Sequence, residues 1–213
     1  MSAPDSFLIK ICGVTTAADA AMAAQAGAGA IGVNFWAGSR RFVGDDDEAA
    51  RVLAAIPPGV LKVGVFVNAS AAEVAAKARA LGLDRVQLHG DEAPADFAGI
   101  GAATLMRAVR VKDPASFGAA AGWQAGLFLY DALVDGYGGG GVTAPWTLIA
   151  AHARRPFLLA GGLHAGNVAD AIQATRPSGV DVASGVELAP GRKDPARVRA
   201  FIDAARAAQA ALR

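Results

Sequence analysis

Phe157-Leu158-Leu159-Ala160-Gly161-Gly162 and, further on, Gly179-Val180-Asp181-Val182-Ala183-Ser184-Gly185 each read as a short apolar strand that runs into a glycine turn. The first turn opens a helical pattern from Val168 to Ala174. Glycine turns expose backbone N–H groups, and a helix presents the positive end of its dipole at its start, so both favour an anion. The pair predicts a cradle for the phosphate of a small molecule. The short apolar strands themselves are of the kind found in a parallel sheet buried on both faces.

Outward from this pair, the same alternation extends over the whole chain. Strands are predicted at residues 8–12, 30–35, 61–67, 85–88, 104–109, 127–130, 157–160 and 179–182. Alanine-rich segments of helical spacing lie at 15–26, 46–55, 71–80, 145–152, 167–175 and 194–210, with weaker helical patterns at 91–101 and 113–123. The first helix carries its own punctuation, with Thr16 as a cap, Asp19 three residues on and Gly27 to close it. Strands that recur every twenty to thirty residues or so mark repeated βα units. Eight units in a row predict an α/β fold, a closed (β/α)8 TIM barrel, formed as a single compact domain over residues 1–213. An open doubly wound sheet is the alternative, but no Gly-x-Gly-x-x-Gly turn follows the first strand.

Composition narrows the class. With 54% apolar and 18% charged residues in a chain of 213, there is ample material for a large core. A formal charge of +1 gives no basic face for nucleic acid and no acidic tail. One cysteine excludes an intrachain disulfide, and three scattered histidines without a His-x-x-x-His pair offer no metal-ligand spacing. The start of the chain has no basic region followed by an apolar stretch, so no signal peptide is predicted. The apolar region from Ala17 to Ala37 is interrupted by Asp19, Gln25 and Asn34, which argues against a membrane span. The expectation is a cytoplasmic protein that binds a small molecule, without nucleic acid or membrane as partner. Monomer and homodimer stay open.

In such a barrel, chemistry sits at the C-terminal ends of the strands. Those ends carry Cys12, Asn34 with the Ser39-Arg40-Arg41 loop, Gln87 and His89 with Arg107 nearby, Asp131, Gly161-Gly162, Asp181 and Ser184-Gly185. Taken singly, each has an ordinary reading: a cysteine can be an inert core residue, Asp131 can accept hydrogen bonds from a turn, and Asp181 can cap a helix. Their convergence on one rim favours a site. Alternation places Lys10 on the face of Cys12, where it is either a cation for a thiolate or half of a buried ion pair. The glycine-rich stretch 135–143, with Gly138 to Gly141 in a row, follows the sixth strand and reads as an active-site lid or a slack linker.

These residues carry a resemblance. Lys10-Ile11-Cys12-Gly13-Val14-Thr15, Gly32-Val33-Asn34-Phe35 with Ser39-Arg40-Arg41-Phe42-Val43, and Val86-Gln87-Leu88-His89-Gly90 resemble the phosphoribosylanthranilate isomerase family of tryptophan biosynthesis. So do Leu129-Tyr130-Asp131, Ala160-Gly161-Gly162-Leu163 with Asn167-Val168, and Val180 to Glu187 with Pro190-Gly191 and Lys193-Asp194. The match is collinear over almost the whole chain. It implies a (β/α)8 barrel that carries out an Amadori rearrangement of N-(5-phosphoribosyl)anthranilate without a cofactor. Carried over, Asp131 is the general acid on the furanose ring oxygen and Cys12 the general base at carbon 2. Arg41 pairs with the anthranilate carboxylate. The phosphate lies on Gly161, Gly162, Ala183 and Ser184, with Asp181 and His89 close to the substrate.

The sequence also departs from the family pattern. Val142 stands in place of a lysine, Ala144-Pro145 in place of an aromatic and acidic pair, His164-Ala165 in place of Asn-Pro, and Ala183 in place of a serine. These changes bear on affinity more than on reaction type, because Cys12 and Asp131 are intact. A sugar isomerase of histidine biosynthesis, with a carboxylate in place of Cys12, a flavin-binding barrel and a non-catalytic phosphometabolite binder are the rival readings. For the isomerase, a free carboxyl near pKa 3.9 is protonated about once in a thousand at neutral pH, and a free thiol near 8.5 is only a few per cent thiolate. The chemistry therefore calls for the Asp131 pKa to be raised, the Cys12 pKa to be lowered, and the two groups to be kept apart across the ligand.

Overall fold

The computed structural model describes residues 7–132, 146–154 and 156–212. Eight parallel strands close on themselves in chain order: β1 (Leu8–Cys12), β2 (Ala30–Asn34), β3 (Leu61–Phe66), β4 (Arg85–Leu88), β5 (Leu105–Val111), β6 (Leu127–Ala132), β7 (Phe157–Ala160) and β8 (Gly179–Val182). The seam between first and last strand is set by pairs that include Lys10 opposite Asp181. Helices α1 (Ala17–Ala26), α2 (Asp46–Ala54), α3 (Ala71–Leu81), α4 (Trp146–His152), α5 (Val168–Thr175) and α6 (Pro195–Ala210) make the outer ring.

Every predicted strand is present, four with the predicted bounds and the others with ends moved by one or two residues. The weak helical patterns at 91–101 and 113–123 are short 3-10 turns, Pro94–Phe97 and Pro114–Ala120, each entered through a proline. The second glycine turn also differs from the first. Instead of a helix it enters a single 3-10 turn, Ser184–Val186, and then a two-stranded antiparallel hairpin, β9 (Glu187–Ala189) with β10 (Arg192–Lys193). The glycine-rich stretch 135–143 and Val142 lie outside the described residues.

Strand alternation divides the apolar residues into two cores. One set, including Ala30, Val63, Met106, Ala108, Leu129 and Leu158, fills the barrel; the larger set, including Ile9, Ile31, Val86, Tyr130, Phe157 and Val180, packs under the helices. The inward parity of β1, β2, β6 and β8 continues upward to Cys12, Asn34, Asp131 and Asp181. The top layer of the barrel is thus polar where the lower layers are apolar. Arg107 has the outward parity of Leu105 and Val109, and its guanidinium pairs with Glu92 and lies 4.9 Å above the Trp123 ring. It serves the wall behind β4 and β5 and does not line the cleft.

Candidate active site

An open cleft of about 240 Å³ crosses the C-terminal mouth of the barrel. Its lining includes every residue that the resemblance assigns to the site: Cys12, Arg41, His89, Asp131, Gly161, Gly162, Asp181, Ala183 and Ser184. Asn34, Ser39 and Gln87 complete the polar wall.

The cradle is formed where the two glycine turns meet. Gly161 and Gly162 have φ of 91° and 63°, a left-handed path that turns the backbone back over the barrel mouth. Gly185 lies so close to this turn that a Cβ would overlap the carbonyl oxygen of Leu163. The N–H groups of Gly162, Leu163 and Ser184 have no backbone acceptor among the described residues. They are the free donors an anion requires, and α5 begins just beyond the first turn. The His164 departure is absorbed locally, since its N–H donates to Asn167 Oδ1 at 2.8 Å and its Nδ1 accepts from Gly166 N–H at 3.1 Å. Ala183 lacks a hydroxyl but its carbonyl accepts from Lys193 Nζ at 3.2 Å.

On the β1/β8 side, Lys10 is half of a buried ion pair. Its ammonium is fully buried and donates to Asp181 Oδ1 at 2.9 Å, and it also lies beside the Cys12 thiol. Burial would lower the Lys10 pKa, but the Asp181 carboxylate and the Cys12 sulfur together more than reverse this and the ammonium is held charged. Asp181 is therefore an ion-pair partner inside the barrel rather than a helix cap.

The thiol corrects an expectation. Cys12 is partly open to the cleft on one side and enclosed by protein on the others, and burial pushes its pKa up. Lys10 and Lys193 pull it down and Asp181 pushes it up, so the cation nearest the sulfur is already shared with a carboxylate. In the open cleft the balance favours the neutral thiol.

On the β4/β6 side, His89 Nε2 stands 3.6 Å from Asp131 Oδ2, and His89 Nδ1 is 3.3 Å from Gln87 Nε2. Two intervening strands, β7 and β8, separate Asp131 on β6 from Cys12 on β1, which puts acid and thiol on different walls.

Two residues were not singled out from sequence. Glu187 receives Arg41 in a two-point pair, Nε to Oε1 at 2.8 Å and Nη2 to Oε2 at 2.6 Å, and also Lys193 Nζ at 2.7 Å. Burial opposes the charge on Glu187, but these cations hold its carboxyl below the usual range. Burial outweighs Glu187 at Lys193 and leaves that ammonium below its ordinary value. Both residues stand within the motif quoted above. The available signal was charge: Glu187 is the one acidic residue between Asp181 and Asp194.

A barrel with a thiol and a carboxyl on different walls of its mouth, and free backbone donors at one edge, has the make-up of an enzyme that moves protons on an anionic small molecule. Among the described residues no group of three or more His, Cys, Asp or Glu could hold a metal ion, and no helix is long and apolar enough to cross a membrane.

Comparison with known proteins sharpens the class. A family model described as N-(5'phosphoribosyl)anthranilate (PRA) isomerase matches residues 9–204. An N-(5'-phosphoribosyl)anthranilate isomerase from Myxococcus xanthus is 47% identical over 208 residues, covering 94% of this chain and 97% of its own. The crystal structure of phosphoribosyl anthranilate isomerase from Thermotoga maritima superimposes with a TM-score of 0.84 at 35% identity, covering 95% of this chain and 100% of its own. A phosphoribosyl anthranilate isomerase in complex with reduced 1-(o-carboxyphenylamino)-1-deoxyribulose 5-phosphate gives 0.81 at 33% identity, with the same coverage. The chain belongs to the N-(5'-phosphoribosyl)anthranilate isomerase family.

Proposed function

We infer that the protein converts N-(5-phosphoribosyl)anthranilate to 1-(2-carboxyphenylamino)-1-deoxyribulose 5-phosphate in tryptophan biosynthesis, with Asp131 and Cys12 carrying the proton transfers. The observation that bears most weight is the arrangement of the cleft: a carboxyl group on β6, a thiol on β1 and free backbone donors where the turns after β7 and β8 meet.

Protonated Asp131 gives its proton to the furanose ring oxygen as the bond from that oxygen to carbon 1 breaks, leaving an iminium between carbon 1 and the anthranilate nitrogen. The Cys12 thiolate then removes the proton on carbon 2. The electron pair of that C–H bond becomes the carbon 1–carbon 2 double bond and the iminium electrons return to nitrogen. The resulting enolamine takes a proton at carbon 1 and loses the one on its carbon 2 hydroxyl, giving the ketose.

A neutral resting thiol costs at least about 2 kcal/mol at pH 7 if the thiolate is the working form. The iminium formed by ring opening supplies a positive charge beside the sulfur at the step that needs it. The cradle of Gly161, Gly162, Ala183 and Ser184 takes the phosphate, Arg41 takes the anthranilate carboxylate, and His89 and Asp181 flank the sugar. The same reading makes this a cytoplasmic enzyme, monomeric or homodimeric, with a phosphoribosyl small molecule as its partner.

The test is the fall of anthranilate fluorescence when substrate generated in situ is offered to wild type, Cys12→Ser and Asp131→Asn. Rapid turnover by wild type with both variants crippled is expected. A wild type that binds the phosphate ester without turning it over would overturn the assignment.

A further inference from the structure

A guanidinium carries five N–H donors in a plane. In Arg41 two are engaged, Nε and one hydrogen of Nη2, both by Glu187. Nη1 and the outer hydrogen of Nη2 have no protein acceptor among the described residues, and together they form the end-on edge that matches a second carboxylate in the same plane. Glu187 is itself anchored. Its Oε1 also accepts from Lys193 Nζ and from Gly191 N–H at 3.2 Å, and Lys193 Nζ donates in turn to the carbonyl of Cys12 at 2.6 Å. Glu187 and Lys193 are 5% and 3% exposed. The aliphatic stem of Arg41 crosses Gly13 so closely that a Cβ there would overlap its Cδ. The arginine is thus held at its head by a buried carboxylate and along its stem by the turn after β1.

We propose that Glu187 is a positioning residue for substrate recognition: it grips the inner edge of Arg41 so that the outer edge stands ready as a fork for the anthranilate carboxylate. The proposal rests on the assignment of Arg41 to that carboxylate. Its physical content is preorganisation, since an ungripped arginine must be ordered each time ligand binds. The Arg41, Glu187 and Lys193 triad carries one net positive charge, so geometry rather than accumulated charge selects the ligand. Lys193 links the triad to the Cys12 and Ala183 carbonyls, which fixes the fork relative to the base and to the phosphate cradle.

The experiment measures, by calorimetry, binding of three probes to wild type, Glu187→Gln, Arg41→Ala and the double variant. The probes are reduced 1-(2-carboxyphenylamino)-1-deoxyribulose 5-phosphate, its carboxamide counterpart and ribulose 5-phosphate. Glu187→Gln is expected to weaken the carboxylate probe about tenfold, the scale of ordering one long side chain. KM rises in parallel while kcat changes by less than about threefold, the pattern of lost uniform binding. The other two probes stay within about twofold, and in the Arg41→Ala background Glu187→Gln adds no further loss. Equal weakening of all three probes would overturn the positioning role and leave Glu187 as a brace for the end of β8. An Arg41→Ala variant with undiminished affinity for the carboxylate probe would instead overturn the Arg41 assignment, and the proposal with it. Glu187→Asp keeps the charge opposite Lys193 but withdraws the grip by one methylene. It should show the same selective loss in milder form, and a uniform loss there also counts against the proposal.

Discussion

The two walls of the cleft face one substrate but are built differently. On the β1/β8 wall, Lys10 is wholly enclosed and bonded to Asp181 at 2.9 Å, with Cys12 beside it and the Glu187 and Lys193 pair behind. On the β4/β6 wall, the side chains of His89 and Asp131 are 20% and 26% exposed and stand 3.6 Å apart. Charges on the first wall interact through protein, where little solvent screens them; charges on the second interact partly through water. The difference suits the tasks proposed for Cys12 and Asp131. A base that takes a carbon-bound proton benefits from fixed charges around it, and an acid that must recover its proton every cycle benefits from contact with water.

The largest expected effects probe the transfers themselves. Cys12→Ser and Asp131→Asn should each lower kcat by about 10²–10⁴-fold, the range for losing a general acid or base, as read by single-turnover fluorescence. Comparable losses would show that both walls do chemistry despite their different construction. A loss in only one would break the symmetry of roles.

Next comes the buried pair. Lys10→Met leaves Asp181 enclosed without its cation and should cost about 3–5 kcal/mol in a urea melt. The same variant should slow alkylation of Cys12 by iodoacetamide at any fixed pH below its inflection. Removing a group that lowers the thiol pKa raises that pKa, and the lone cysteine makes the reading unambiguous. In wild type the inflection should already lie above the ordinary cysteine value of about 8.5.

A smaller effect concerns acid. The folded-state pKa of Glu187 is depressed, so its contribution to stability is present above the unfolded value of about 4.3 and is lost as pH falls through the folded value. Thermal melts from neutral pH down to the acid range should decline less steeply in Glu187→Gln than in wild type. Lys10 has the opposite sign. Its folded pKa is raised, so its contribution is intact below the unfolded value of about 10.4 and is lost only as pH rises toward the folded one. The smallest effect belongs to the open wall. A part-exposed pair is worth about 0–1 kcal/mol, so His89→Asn should reduce kcat by at most about fivefold. A much larger loss would mean that this wall is as strongly coupled as the other.

How far the sequence could be read follows the same division. Strand alternation places Lys10 on the face of Cys12, and the structure extends the same parity to Asp131 and Asp181, which are read from their position at strand ends. Arg107 shows the cost of reading position without parity, since it sits in the lower half of β5 and points outward. The Glu187 and Lys193 pair lies in a short hairpin, and the partners that tie it to the cleft, Arg41 and the Cys12 carbonyl, are more than a hundred residues away in sequence. The direction of the Cys12 shift was beyond reach for another reason. It depends first on how deeply the thiol is buried and then on how Lys10 divides its charge between the thiol and a carboxylate, and both belong to the folded geometry. The short 3-10 turns in place of two weak helical patterns reflect prolines, each of which starts a turn, and runs too short to sustain a helix.

The seam between β1 and β8 has a consequence for the birth of the molecule. Lys10 emerges early in synthesis and Asp181 late, 171 residues afterwards. Until the last strand arrives the sheet is open at that edge and the lysine has water in place of a counterion. Closure of the ring therefore does two things at once: it completes the sheet and it brings together the thiol, the ammonium and the carboxylate. In a nascent or truncated chain lacking β8 the proposed base has no setting, so on this reading turnover reports that the last strand has docked.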